Sequence, residues 1–108
     1  MDMNYQQAKV RADILKSLAH PIRVLILDAL SKKDLCVNEL NQLVDVDQST
    51  ISRHLAQLKK TGIVSERKLG AKVIHHLACR CMLTAVGCSV EVLKSDSKRR
   101  RGLEELTS

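Results

Sequence analysis

The stretch Asp47–Gly62, DQSTISRHLAQLKKTG, decides how this chain is organised. Ile51, Leu55 and Leu58 stand at i, i+4 and i+7, which at 100° per residue makes one narrow apolar stripe. Ser49, Arg53, Ala56 and Lys60 point the opposite way. Asp47, Thr50 and Ser52 offer capping groups at the start, while Lys59 and Lys60 put cations at the negative end of the helix dipole and Gly62 supplies a stop. These signals predict a helix of about 12 to 14 residues with one core face and one face offered outward. The outer face carries Gln48, Ser49, Thr50 and Ser52 near its start and then Arg53. Gln pairs with adenine edges, Arg with guanine, and Ser or Thr with a base edge or a phosphate, which is the chemistry of a helix lying in a major groove. His54, Gln57 and Lys60 complete the candidate contacts on this helix, although His54 stands at the edge of the apolar stripe, where a structural hydrogen bond suits it as well. A solvated helix face has the same composition, so the flanking segments must decide.

Upstream, Cys36–Val44 (CVNELNQLV) reads as a short helix with Val37, Leu40 and Leu43 or Val44 inward, joined to the first stretch by Asp45-Val46-Asp47. Two short helices linked by a tight turn, the second with a polar outward face, form a helix-turn-helix. Before them, Pro21 starts an almost wholly apolar helix, PIRVLILDAL, expected at the centre of the core. An opening helix places Tyr5, Ala8, Ala12, Leu15 and Leu18 on one face and Val10 and Ile14 on a second, so it has two surfaces to cover. Downstream of Gly62 the period falls to 2: Val64, Glu66 and Lys68 alternate with Ser65 and Arg67, Leu69-Gly70-Ala71 can turn, and Lys72–Leu77 (KVIHHL) is alternating and β-branched. A basic hairpin directly after such a helix is a wing, with Arg67, Lys68 and Lys72 near its tip in reach of phosphates. His75 and His76 then face opposite sides, one inward and one outward.

Composition narrows the class further. The chain has 108 residues, a net charge of +6, 44% hydrophobic residues, one Tyr and neither Phe nor Trp. That length makes one domain with a tail, and an aliphatic core suits helices. The positive charge favours a polyanionic partner, and double-stranded DNA fits the helix and wing. No apolar run approaches the roughly 20 residues of a membrane span, and the first residues lack a signal-peptide pattern, so a cytoplasmic protein with no membrane partner is expected. Phosphate-binding glycine loops, nucleophile elbows and paired acidic motifs are missing, and no cysteine can be placed beside a histidine, so enzymatic activity is not expected.

The last periodic segment, about Arg80 to Leu93, has two stripes: Cys81, Ala85, Cys88 and Val92 on one side, Leu83, Val86, Val90 and Leu93 on the other. One stripe covers the core and the other a partner. The same two-sidedness in the first helix predicts a homodimer built by the first and last helices. Residues 1–93 are expected to form the DNA-binding and dimerisation domain, and 94–108, with KRRR and then LEEL, a basic, flexible tail. The predicted class is mostly α with a small β-hairpin, a winged helix-turn-helix in the order ααααββα.

LAHPIRVLIL (18–27), CVNEL (36–40), QSTISRHLAQLKKTGIV (48–64) and the wing followed by a helix together resemble the ArsR/SmtB family of winged-helix repressors. The resemblance implies a homodimer that binds a palindromic operator, represses transcription and leaves the DNA when an inducer binds thiols or other ligands. Arsenic sensors of the family carry Cys-x-Cys at the start of the third helix; here Cys36 matches the first thiol and Asn38 stands at the second. The zinc sensors' Asp-x-His in the last helix is replaced by Cys81-Met82-Leu83. Cys79-x-Cys81 with Cys88 resembles members that hold soft metals in the last helix, and a Cys36 and Cys88 pair resembles persulfide-responsive ones. Cys81 and Cys88 would lie roughly 10 Å apart along a straight helix, too far to share an ion unaided. No cofactor is expected as obligatory; a soft metal or metalloid such as As(III), or a reactive sulfur species, is the expected inducer, with a non-sensing DNA-binding protein as the alternative.

Overall fold

The computed structural model describes residues 2–95, so most of the tail, from residue 96 on, lies outside the described residues. Five helices and one hairpin follow in the expected order: α1 Tyr5–Leu18, α2 Pro21–Lys32, α3 Val37–Leu43, α4 Gln48–Lys60, β1 Val64–Leu69, β2 Lys72–Leu77 and α5 Met82–Ser95. Local chemistry sets these limits. Asn4 and Gln7 close a capping box on α1, with Asn4 Oδ1 accepting from the Gln7 N–H at 2.8 Å and Gln7 Oε1 from the Asn4 N–H at 3.0 Å. Pro21 opens α2, whose N-cap is His20 through an Nδ1 that accepts from the Ile22 N–H at 3.1 Å. Asp47 Oδ1 accepts from the Thr50 N–H at 2.7 Å to cap α4, and Gly62 turns the chain out of it at φ 84°.

The core is the aliphatic one that the composition demands. Ile26, Leu27 and Leu30 of α2, Leu40 of α3, Ile51, Leu55 and Leu58 of α4, and Ile63, Val64 and Leu77 of the wing base are all buried together. Each such side chain contributes about 1.5–3 kcal/mol relative to exposure. Met82, Leu83 and Val86 of α5 close this core from outside. At the end of α3 it is the capping residue Val44 that turns inward, and Leu43 is exposed.

The wing is antiparallel, running from Val64 opposite Leu77 to Leu69 opposite Lys72, which leaves Gly70 and Ala71 as a two-residue turn. Gly70 has φ 64° and Ala71 does not enter positive φ, so the glycine meets the demand for a first central residue without Cβ strain. Leu35, in the α2–α3 connection, adds an antiparallel bridge to His75, with N–H to O distances of 3.1 and 2.8 Å. His76 Nδ1 stands 2.7 Å from Asp34 Oδ1 in the same connection. The hairpin is thereby held to the body of the protein and aimed by it. His75 is buried and His76 exposed, as their alternation requires.

Two expectations change. The last helix starts at Met82, so Cys81 lies in the turn before it and drops out of the stripe with Ala85, Cys88 and Val92. Of the α1 residues read as a shared face, only Leu18 is buried; Tyr5 and Leu15 remain 77% and 55% exposed, and Val10 of the second face 59%. The stripe is there, but within one chain little packs on it.

Candidate nucleic-acid interface and thiol cluster

The outer face of α4 is open. Gln48, Ser49, Ser52, Arg53, Ala56, Gln57 and Lys60 are exposed, while Ile51, Leu55 and Leu58 behind them are buried. Gln48 Nε2 donates to Asn38 Oδ1 at 2.6 Å, linking the two helices of the helix-turn-helix, and Ser49 Oγ lies 3.0 Å from Asp47 Oδ1. Hydrogen bonds from Thr50 and then Ser49 hold the Asp47 carboxyl below its ordinary range, so the cap is ionised at neutral pH. Thr50 is half-buried and supports Arg53, whose Nη2 lies 3.4 Å from its Oγ1. On the wing, Arg67, Lys68 and Lys72 are all exposed. Arg67 Nη2 stands 3.8 Å from Asp34 Oδ2, a solvated ion pair that restrains the guanidinium weakly. Lys59 of α4 pairs with Glu66 of β1, tying the helix to the wing.

His54 leaves the outward set. Its ring is only 9% exposed and faces α2. Arg23 Nε donates to His54 Nδ1 at 3.0 Å, and the His20 ring lies against it with centroids 4.3 Å apart. Sequence reasoning assigned no role to Arg23 or Asp34: each depends on a partner 31 or 42 residues away, which no local period reveals.

The cysteines fall into separate neighbourhoods. Cys36 is buried at the N-cap of α3 and lines a cavity of about 450 Å³ with Glu39, Gln48 and the wing residues Ala71, Lys72 and Val73. Cys88 is exposed on α5, a helix that packs against α2. Cys79 and Cys81 come together in the turn between wing and α5, Sγ to Sγ 3.2 Å. That hydrogen bond, and then the charge of a neighbouring Cys79 thiolate, hold the Cys81 thiol above its ordinary value. The turn is anchored, since the N–H groups of Ala78 and Cys79 both donate to the Ile63 carbonyl, at 3.0 and 3.3 Å. Ile63 in turn donates to the Leu58 carbonyl of α4 at 3.1 Å. Among the described residues no three His, Cys, Asp or Glu side chains are gathered for a metal, and no helix is long and apolar enough to cross a membrane.

A two-helix motif with an exposed Gln/Ser/Arg face, flanked by a basic wing, defines a winged helix-turn-helix DNA-binding regulator. The family model described as bacterial regulatory protein, arsR family, matches residues 20–66. HlyU from Vibrio cholerae superposes with a TM-score of 0.70 at 30% identity, over 78% of this chain and 94% of that one. The nodulation protein NolR of Rhizobium meliloti is 29% identical over 93 residues, 86% of this chain and 76% of that protein. The biofilm growth-associated repressor of Xylella fastidiosa is 32% identical over 72 residues, 67% of this chain and 63% of that protein. The chain belongs to the ArsR family of bacterial regulatory proteins. It is a DNA-binding transcriptional repressor and not an enzyme.

Proposed function

We propose that this repressor acts as a homodimer on a palindromic operator and is released by a thiophilic inducer, with arsenite or a similar soft metalloid as the first candidate. Gln48, Ser49, Ser52, Arg53 and Gln57 enter the major groove; Thr50 steadies Arg53; Lys60, Arg67, Lys68 and Lys72 hold phosphates. α1 and α5 join the two subunits. Residues 1–93 serve as the DNA-binding and dimerisation domain, and 94–108 as a basic tail that adds to the attraction for DNA. The reading of the inducer is carried by one observation, the 3.2 Å approach of the Cys79 and Cys81 sulfurs. Two bonds of about 2.3 Å to one ion reach sulfurs up to roughly 4.6 Å apart, so this pair suits a single soft ion. A two-thiol set favours a metalloid of low coordination number over zinc, which takes four ligands. Binding draws on Cys79, whose N–H is bonded to the Ile63 carbonyl, and so acts on the segment that closes α4.

The test is a parallel titration. An operator duplex is first selected from a random-sequence pool with the reduced protein. The complex is then titrated with arsenite, cadmium, zinc and a persulfide donor while anisotropy is followed. Release at near-stoichiometric arsenite or cadmium is expected, by a factor of about 5 to 150 in affinity, the usual range of allosteric coupling. Release by persulfide alone would move the reading to thiol oxidation at Cys36 and Cys88, and no release by any of the four would remove the sensing function.

A further inference from the structure

Arg23 joins three helices by two bonds. Its Nε donates to His54 Nδ1 on α4 at 3.0 Å, and its Nη1 donates to the Ser17 carbonyl at 2.6 Å. Ser17 belongs to the last turn of α1, where carbonyls lack intrahelical partners and a cation is favoured by the dipole. His20 packs its ring on His54 while capping α2 through its Nδ1. The recognition helix is thus clasped from behind, one residue from Arg53, by a guanidinium whose other arm holds the end of α1.

We propose that Arg23 is a positioning residue for DNA recognition, setting the angle of α4 against α1 through His54, and that the clasp opens when His54 takes a proton. The inference rests on the reading of α4 as the DNA-facing helix. A neutral imidazole can accept at Nδ1, whereas an imidazolium has two donors and no acceptor, so the Arg23–His54 bond belongs to the neutral form alone. Protonation would set a second cation against the guanidinium in a half-buried space. The charged or titratable groups acting on His54 are His20 and Arg23 from α2 and Arg53 from its own helix. From α1 the Ser17 carbonyl reaches the ring only through Arg23, from whose Nη1 it accepts. Burial, then the neighbouring His20 and the Arg23 and Arg53 guanidinium groups, hold the His54 pKa below its ordinary value of 6.5. The clasp is therefore complete above that value and is lost as pH falls from there through the lowered one.

Binding to the selected duplex is measured between about pH 8 and pH 5.5 for the parent, Arg23→Gln, His54→Asn and Arg53→Ala. Asn presents an oxygen acceptor close to the Nδ1 position and does not titrate. Arg23→Gln should lose about tenfold in affinity at pH 8, the worth of a hydrogen bond to a charged group. The parent should lose about tenfold across the pH range, while His54→Asn should match it at pH 8 and fall at least threefold less. Should Arg23→Gln fail to fold by circular dichroism, the comparison of the parent and His54→Asn profiles decides alone. Superimposable profiles overturn the proposal, and so does a folded Arg23→Gln that binds like the parent. Arg53→Ala separates the two levels: if it weakens binding while Arg23→Gln does not, only the clasp is lost, and if neither weakens it, the DNA-facing assignment of α4 falls as well.

Discussion

Arg53 and Lys72 carry the same charge but can do different work on DNA. Arg53 is exposed on the outer face of α4 and steadied by Thr50, so its planar fork can meet a guanine edge. Lys72 sits beside the wing turn as a point charge suited to a phosphate. Arg53→Ala should therefore weaken the selected operator by about 1–3 kcal/mol and relax its sequence preference. Lys72→Ala should weaken all duplexes alike and lower the slope of log affinity against log salt by about one. An unchanged operator affinity for Arg53→Ala, measured by anisotropy, would mean that the helix is not the reading element. At this scale the sequence was most legible where a side chain's job depends on its own helix, as for Ile51, Leu55 and Leu58. It was least legible for His54, whose position at the stripe's edge allowed either face. Only the three-dimensional approach of Arg23 and His20, both far upstream, shows why the ring turns in.

Elements with two apolar faces pose a question that periodicity cannot answer, namely which face the same chain covers. In α5 the stripe containing Leu83 and Val86 meets the core, and Ala85, Cys88 and Val92 stay exposed. In α1 almost the whole helix stays exposed, because α2, α3, α4 and the wing already close the core around Leu18. Between α1 and α5 runs a shallow apolar groove of about 260 Å³, lined by Leu15, Leu18, Val24, Ala85 and Val86 among others. A second copy of the chain is the proposed cover, and a twofold interface would use each of these residues twice. Ala85→Glu would then bury two carboxylates without partners, so the dimer dissociation constant should rise by about 100-fold or more, and sedimentation should find monomers at micromolar concentration. An unchanged dimer would take α5 out of the interface. The start of α5 was legible only to within two residues, and that margin mattered: it moved Cys81 from the helix into the anchored turn. Helix ends are set by local hydrogen bonds, and here the Met82 N–H donates to the Cys79 carbonyl at 3.3 Å, a contact that the apolar period does not encode.

Across the whole molecule, the two surfaces of interest are joined by a short covalent and hydrogen-bonded route. DNA would meet α4 and the wing; the thiol pair follows β2 directly and hangs from the Ile63 carbonyl, which itself follows α4. An inducer shifts DNA affinity only through a difference in its own affinity for the DNA-bound and released arrangements, so the site must lie where those arrangements differ. The turn at Cys79–Cys81 would meet that condition under the proposed function, since drawing two sulfurs onto one ion would constrain the backbone that anchors β2 and α5. Cys88 would meet it differently, as an exposed thiol on the proposed dimer helix. Separate serine replacements tell the two apart. Cys79→Ser and Cys81→Ser should each keep operator affinity within about twofold, because neither thiol touches the DNA-facing side, and each should abolish arsenite release. Cys88→Ser should also spare operator affinity. If it abolishes release as well, the ion is shared between the turn and the last helix, and a rearrangement of the dimer carries the signal. If Cys88→Ser responds like the parent while the other two do not, the turn alone senses. Retention of full arsenite release by both Cys79→Ser and Cys81→Ser would end the case for this dithiol, because one remaining thiol cannot chelate, and the 3.2 Å pair would then be a feature of the turn and not of its regulation.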